Sequence, residues 1–477
     1  MRSLHYLQTD QHVPRAAWLA LLLPALPALA IIALWWPALP ASFQFDDWNV
    51  IVNEPRVHSL AAWWQSMPGI RPLLKLSYAL NMTLDASPTG FRVVNVLIHA
   101  INAILVASLL RTRGIRSGLV EADASAAALL AALFFALHPV QTEAVTYISG
   151  RSSSLAACFC LLSLYCWVRS EQSERSRPAS GWLAACCLCF ILAVATKEFA
   201  AVLPFALLLY SADRSFPATL RRLTPPLLLM VLMLCIALSL PTYRRLLAVS
   251  LDTRSIAENL LTQAHGVLYL AGQLARPWNG NADPQFAVVP MNWLSASLCV
   301  AWLAILAIAL SRVRRAPVGA FAVLWFLLWL APTNSLLPRL DVANDRQLYL
   351  ALAGPAWWLA TRLIAWHRAR SVPIAAIIAL LLTTLAWFTY QRNLVYDTEI
   401  TFWQDTAERN PDNSRAANNL GMAYAIDCRF DEAAEAFKRA IASSPDEYHA
   451  RINLALLRQG QLPGVDLQHC ARRAHQH

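Results

Sequence analysis

Charge is what this chain has little of. Of its 477 residues, 14% are Asp, Glu, Lys or Arg and 57% are hydrophobic, with a mean hydropathy of +0.43. Soluble domains carry about 25% charged residues, so a soluble globular fold is excluded and an integral membrane protein is indicated. The Gly-rich loop that cradles nucleotide phosphates is missing as well. There is no disulfide framework either. Six of the ten cysteines (Cys158, Cys160, Cys166, Cys186, Cys187 and Cys189) fall in apolar runs, where Cys behaves as a small hydrophobe. The string Cys186-Cys187-Leu188-Cys189 has no histidines at metal-ligand spacing. Cys428 and Cys470 are the only pair outside the spans, and sequence does not decide whether they bridge. The first apolar run, 16–37, lacks a small-residue cleavage site and is too long for the apolar core of a signal peptide, so it reads as an uncleaved span.

What charge there is follows a pattern. The net charge of +10 would suit nucleic acid, but Arg and Lys gather in short loops between apolar runs, as the positive-inside rule predicts. Nucleic acid is therefore not an expected partner; the lipid bilayer is. The expected spans are 16–37, 92–110, 123–138, 151–168, 180–196, 199–212, 223–241, 293–311, 317–331, 348–365 and 372–390. The basic connections (Arg111 to Arg116, Arg169 to Arg177, Arg214 to Arg222, Arg312 to Arg315, Arg362 to Arg370) fit the cytoplasmic side. The others, 40–91, 139–150, Lys197-Glu198, 242–292 and 332–347, then share the outer face with everything after Tyr390. Segment 256–275 has helical period but would reverse this order if it crossed, so it is assigned as interfacial or re-entrant. The predicted class is all-α: a polytopic helical bundle of about eleven spans with a small helical domain on its outer face.

That tail begins near Asn393, dividing the chain into 1–392 and 393–477. Residues 414–447 match a 34-residue tetratricopeptide repeat: Leu420-Gly421 and Tyr424 on the first helix, then Ala433, Phe437, Ala440 and Pro445. One period back stand Trp403 and Pro411; one period on stands Leu454. One good repeat with two partial neighbours is about the minimum stack that buries a common face. It serves either as a helical cap or as a docking surface for a protein.

The outer connections collect an unusual set of polar residues. Asp46 and Asp47, between aromatic neighbours, follow the first span; Arg71 lies in the same loop. His138 ends the third span, Glu143 follows it, and Arg151 begins the fourth. Lys197-Glu198 interrupts an apolar stretch with no loop to solvate it. Arg339, Asp345 and Arg346 precede the tenth span, with Tyr349 just after Arg346 at its start, and intramembrane His99, flanked by Asn95 and Asn102, marks a polar face on the second. Each has a bland reading as an exposed turn, a helix end or a structural salt bridge; for His99 it is helix packing. As a set they suit glycosyl transfer from a polyprenyl-phosphate sugar. A carboxylate deprotonates the acceptor hydroxyl, cations hold the departing phosphate, and an apolar groove holds the lipid. The missing nucleotide loop disfavours a nucleotide-sugar donor.

The strings FQFDDWNVIVN, RPLLKLSYALN, FRVVNVLIHAINA, HPVQTEAVTYISGRSSSLA, ATKEFAAVLP and NDRQLYLALAG, followed by the repeats, resemble the transmembrane-and-tetratricopeptide-repeat (TMTC) family of GT-C glycosyltransferases. The resemblance runs from about Phe43 to Gly460. It implies a polyprenyl-phosphate mannose donor and a Ser or Thr acceptor on an exported protein. Asp46 or Asp47 would match the catalytic carboxylate, and Arg151, Lys197 and Arg346 would match donor-phosphate positions. The repeat array is far shorter than in animal members, so acceptor choice does not carry over. An Ala-, Leu- and Arg-rich composition with terse loops suggests a bacterial inner-membrane protein, with undecaprenyl rather than dolichyl phosphate as carrier and the periplasm as outer compartment. Asp46 and Asp47 are also compatible with Mg²⁺ or Mn²⁺, although no further ligand set is legible. The alternatives are the same fold acting on a glycolipid or surface glycan, a transporter or flippase, and a repeat-bearing scaffold.

Overall fold

The computed structural model describes residues 25–173, 178–445 and 448–466, together with 468, 470 and 472. The start of the first expected span, Arg175 and Arg177 of one basic connection, and 446–447 of the repeat lie outside these residues. Among the described residues the chain is helical, with no strand.

Among the described residues every expected span falls on a helix or a broken pair of helices. Among them six are long and apolar enough to cross a membrane: Pro88–Arg116, Ile148–Gln172, Ala179–Thr196, Phe216–Ser239, Trp293–Arg312 and Pro373–Val395. Two more qualify only as bent pairs, Glu121–Leu137 with Pro139–Val145 and Asp345–Ala351 with Ala353–Ala369. Leu26–Ala38, Glu198–Tyr210 and Pro317–Leu330 are shorter. Helices 216–239, 293–312 and 371–395 expose Leu228, Leu303 and Leu380 on faces that water would penalise and lipid tails accept. Helix 256–275 is as long as helix 293–312 but is not among those apolar enough to cross. Its Ser255 and Glu258 form a capping box, and it buries Asn259, Thr262, Gln263 and Gln273.

The bundle interior is built on small residues. Helix 88–116 packs on 121–137 and on 151–172, and 353–369 packs on 121–137, through Ala103, Ala107, Ala127, Ala128, Ala131 and Ala360. Small side chains let helix backbones approach where lipid offers no hydrophobic drive to associate. A Cβ at Gly114 would lie 2.9 Å from Ala124 and from Trp357, so only glycine fits there. The polar face of helix 88–116 fastens its neighbours: Asn95 donates to the Val145 carbonyl (3.0 Å), Asn102 to that of Ser154 (2.9 Å), and His99 Nδ1 meets Tyr349 Oη at 2.7 Å.

Among the described residues the tail holds the helices Glu399–Arg409, Ser414–Ile426, Phe430–Ser443 and Tyr448–Gln459. Trp403, Leu420, Ala433, Phe437 and Leu454 lie buried in one cluster. A Cβ at Gly421 would strike the Phe437 ring at 2.6 Å, which accounts for glycine at that repeat position. Cys428 and Cys470 form a disulfide with Cα atoms 5.3 Å apart.

Candidate active site

The adjacent aspartates differ in every physical respect. Asp47 is fully buried. Its Oδ2 accepts from the Gln44 N–H (3.0 Å) and its Oδ1 from the Ser149 N–H (2.8 Å) and hydroxyl. Burial pushes its carboxyl up to about 6, against the pull of those donors and of Arg92. Arg92, also buried, donates to the carbonyls of Ala41, Ser42 and Thr146 and so pins the chain leading into the pair. Asp46 is half-buried, and its carboxylate has no hydrogen bond or ion pair among the described residues. Its backbone N–H donates to Tyr147 Oη at 3.0 Å, and the Arg346 guanidinium lies over the Tyr147 ring, 5.9 Å from its centre.

Cations gather beside this pair. Arg346, at the start of the bent helix pair, meets Glu143 with Nε 3.5 Å from Oε1. Arg71, held at φ 50° ahead of Pro72, donates to Glu198 through Nε (3.0 Å) and Nη2 (2.7 Å). Lys197 does not pair with its neighbour Glu198. Its Nζ donates to the hydroxyls of Ser152 (3.1 Å) and Ser153 (2.8 Å). Burial, then the guanidinium groups of Arg346, Arg71 and Arg339, hold the Lys197 ammonium well below its ordinary range. The Arg339 side chain has no hydrogen bond or ion pair among the described residues.

Two small hollows meet at Asn344 and Arg346. One is lined by Lys197, Arg339, Arg346 and Tyr349 with apolar Phe199, Trp329 and Leu350. The other is lined by Glu143, Arg346, Asp283 and Asp341 with the rings of Phe45, Tyr147, Tyr396 and Phe402. Asp345 backs them, accepting from Gln273 at 3.3 Å.

Several expected site residues line neither hollow. Arg151 is buried and fully engaged with Asn95 Oδ1 (2.6 Å), Asn81 Oδ1 (2.8 Å) and the Phe91 and Ser77 carbonyls (2.8 and 3.2 Å). His138 accepts from the Val140 N–H and faces the Leu274 carbonyl. His99 bridges helices, as described above. The loop carrying Glu143 and Tyr147 closes on itself at Gly150, where a Cβ would lie 2.1 Å from the Glu143 carbonyl. Sequence reasoning missed Arg92, Tyr147, Tyr396, Glu399 and Phe402. For Tyr147 a signal was present, since it lies within the HPVQTEAVTYISGR string.

Comparison with known proteins supplies the context. A tetratricopeptide-repeat family model matches residues 402–448 and 429–462. Mouse protein O-mannosyl-transferase TMTC3 is 23% identical over 89% of this chain and 51% of its own length. The Drosophila Tmtc3 protein is 25% identical over 89% of this chain and 55% of its own. Human TMTC4 is 32% identical across a shorter stretch, 33% of this chain and 24% of its own. The chain is similar to TMTC proteins along most of its length. It spans about half the length of the TMTC3 relatives that it matches along most of its own.

In this chain the donor set does not fit the divalent cation that two adjacent carboxylates suggested. Both Asp47 oxygens already accept protein N–H or O–H groups. Among the described residues no three His, Cys, Asp or Glu side chains come together as metal ligands.

Proposed function

We propose that the chain is an integral-membrane glycosyltransferase. It moves a sugar, mannose by the names of its relatives, from a polyprenyl-phosphate carrier to a Ser or Thr hydroxyl of an exported protein. One observation carries this reading: Asp46, with a free carboxylate, stands one aromatic ring from Arg346, which shares a hollow with Lys197 and Arg339, neither of them paired with an acid.

Unpaired, half-desolvated cations are costly, and an anion offsets the cost. The hollow they line also offers Phe199, Trp329 and Leu350, which suits a phosphate with a lipid attached. The acceptor hydroxyl occupies the neighbouring aromatic hollow. As its oxygen attacks the anomeric carbon, Asp46 takes the hydroxyl proton; the bond from that carbon to the phosphate oxygen breaks, and the phosphate leaves with the electron pair. Lys197, Arg339 and Arg346 stabilise the charge it acquires. Asp47 holds the loop, through Ser149, and does not react.

The face bearing these residues is the outer one in this reading. Basic loops at the opposite ends of the helices support it, and so does the Cys428–Cys470 disulfide, which persists in an oxidising compartment. Purified protein in nanodiscs should transfer radiolabelled mannose from mannosyl-phosphoryl-undecaprenol to a Ser/Thr peptide and not from GDP-mannose. Transfer from GDP-mannose alone would refute the donor assignment.

A further inference from the structure

The residue before Asp46 is in a conformation that side chains rarely adopt. Phe45 has φ 44°, in the left-handed region, which a bulky residue occupies only when its surroundings hold it there. What holds it comes from the repeat tail. Trp403 meets the Phe45 ring edge-on, with centres 5.0 Å apart at 90°. The Arg415 guanidinium lies over the same ring, 5.9 Å from its centre. Glu399 Oε1 accepts from the indole N–H of Trp48 at 2.8 Å. The tail is itself fastened down, because Arg415 pairs with both Asp283 and Asp341.

We propose that the first helix of the tail, Glu399–Arg409, is a wall of the catalytic crevice and that Glu399 is a positioning residue for Asp46. The tail acts on both sides of the Asp46-Asp47 pair, through the Phe45 ring before it and the Trp48 indole after it. Phe402, on the same helix, lines the hollow that Arg346 shares. The tail therefore sets the geometry of the base, which a tethered docking arm would not do. Displacing a reacting group by a fraction of an ångström slows the chemical step without weakening substrate binding. This inference rests on Asp46 being the base.

The test uses full-length protein in nanodiscs, with kcat and acceptor KM measured separately. Glu399→Ala should lower kcat about tenfold or more, the cost of losing a hydrogen bond to a charged group, with acceptor KM unchanged. Glu399→Gln, which keeps an oxygen acceptor, should recover most of it. Trp48→Phe removes the indole N–H, together with part of the ring, while leaving Glu399 in place; it should lower kcat in the same way, so it decides the matter if Glu399→Ala does not fold. A raised acceptor KM at wild-type kcat would make the tail a docking arm and overturn the proposal, as would unchanged kinetics in Trp48→Phe. If Asp46→Asn is itself active, the assignment of the base fails instead, a separate and recognisable result.

Discussion

Arg346 is held from two directions by one carboxylate. Its backbone N–H donates to Glu143 Oε2 at 3.0 Å, and its Nε lies 3.5 Å from Glu143 Oε1. The two residues are 203 positions apart, so this pair fastens the 139–150 connection to the start of the bent helix pair, at the point where the two hollows meet. Breaking a buried ion pair by removing one partner costs about 3–5 kcal/mol, because the remaining charge is left uncompensated. Glu143→Gln should therefore lower the melting temperature in detergent, and added undecaprenyl phosphate should restore part of the loss by occupying the freed guanidinium. A variant that melts like wild type, with or without the lipid, would show that Arg346 does not depend on Glu143.

Asp47 makes a prediction about pH. Its folded carboxyl titrates at about 6, against an ordinary value of 3.8, so between those values the folded state holds a proton that the unfolded state has lost. Its contribution to stability is full below pH 3.8 and is lost as pH rises to about 6. The loss across this window corresponds to roughly 3 kcal/mol. Asp47→Asn should flatten the fall in melting temperature across this window, seen in thermal scans at half-unit pH steps. An unchanged slope would contradict the assignment of Asp47 as a buried structural group.

Arg339 offers the cleanest probe of the anion hollow, because its side chain makes no bond whose loss would disturb the fold. Arg339→Ala should raise the donor KM about tenfold with the melting temperature unchanged, the effect of one lost charge-assisted hydrogen bond. Lys197→Ala should act in the same direction and at least as strongly. Wild-type donor KM in both variants would place the phosphate elsewhere.

Orientation is tested by labelling. Cysteines placed at the exposed positions Asn49 and Ser443 should both react with an impermeant maleimide from outside intact cells, above the background of the native thiols. Reaction of one without the other would separate the tail from the face that bears Asp46.

Much of the helix pattern was legible in the sequence because each apolar run is a local feature. Helices 88–116, 121–137 and 151–172 follow the hydropathy of their own residues, and the repeat's buried positions follow from a 34-residue period. Pairings were not legible. Arg71 finds Glu198 across 127 residues, and Lys197 turns from its neighbour Glu198 to Ser152 and Ser153. Charged type did not reveal role either: Arg151 and Lys197 looked alike on paper. Yet Arg151 is spent on two asparagines and two carbonyls, whereas Lys197 opens on a hollow. Glu399 and Phe402 escaped notice because the tail was read as a cap or docking surface, and only the folded chain brings Glu399 to Trp48.

The central claim is that Asp46, and not Asp47, takes the proton from the acceptor. The most direct measurement compares mannose transfer from mannosyl-phosphoryl-undecaprenol by Asp46→Asn and wild type, reconstituted at equal amounts and with equal donor binding. Loss of a general base costs about 100- to 10,000-fold. The account predicts a fall of that size in kcat for Asp46→Asn, with donor affinity and melting temperature unchanged. Wild-type turnover in Asp46→Asn would contradict it.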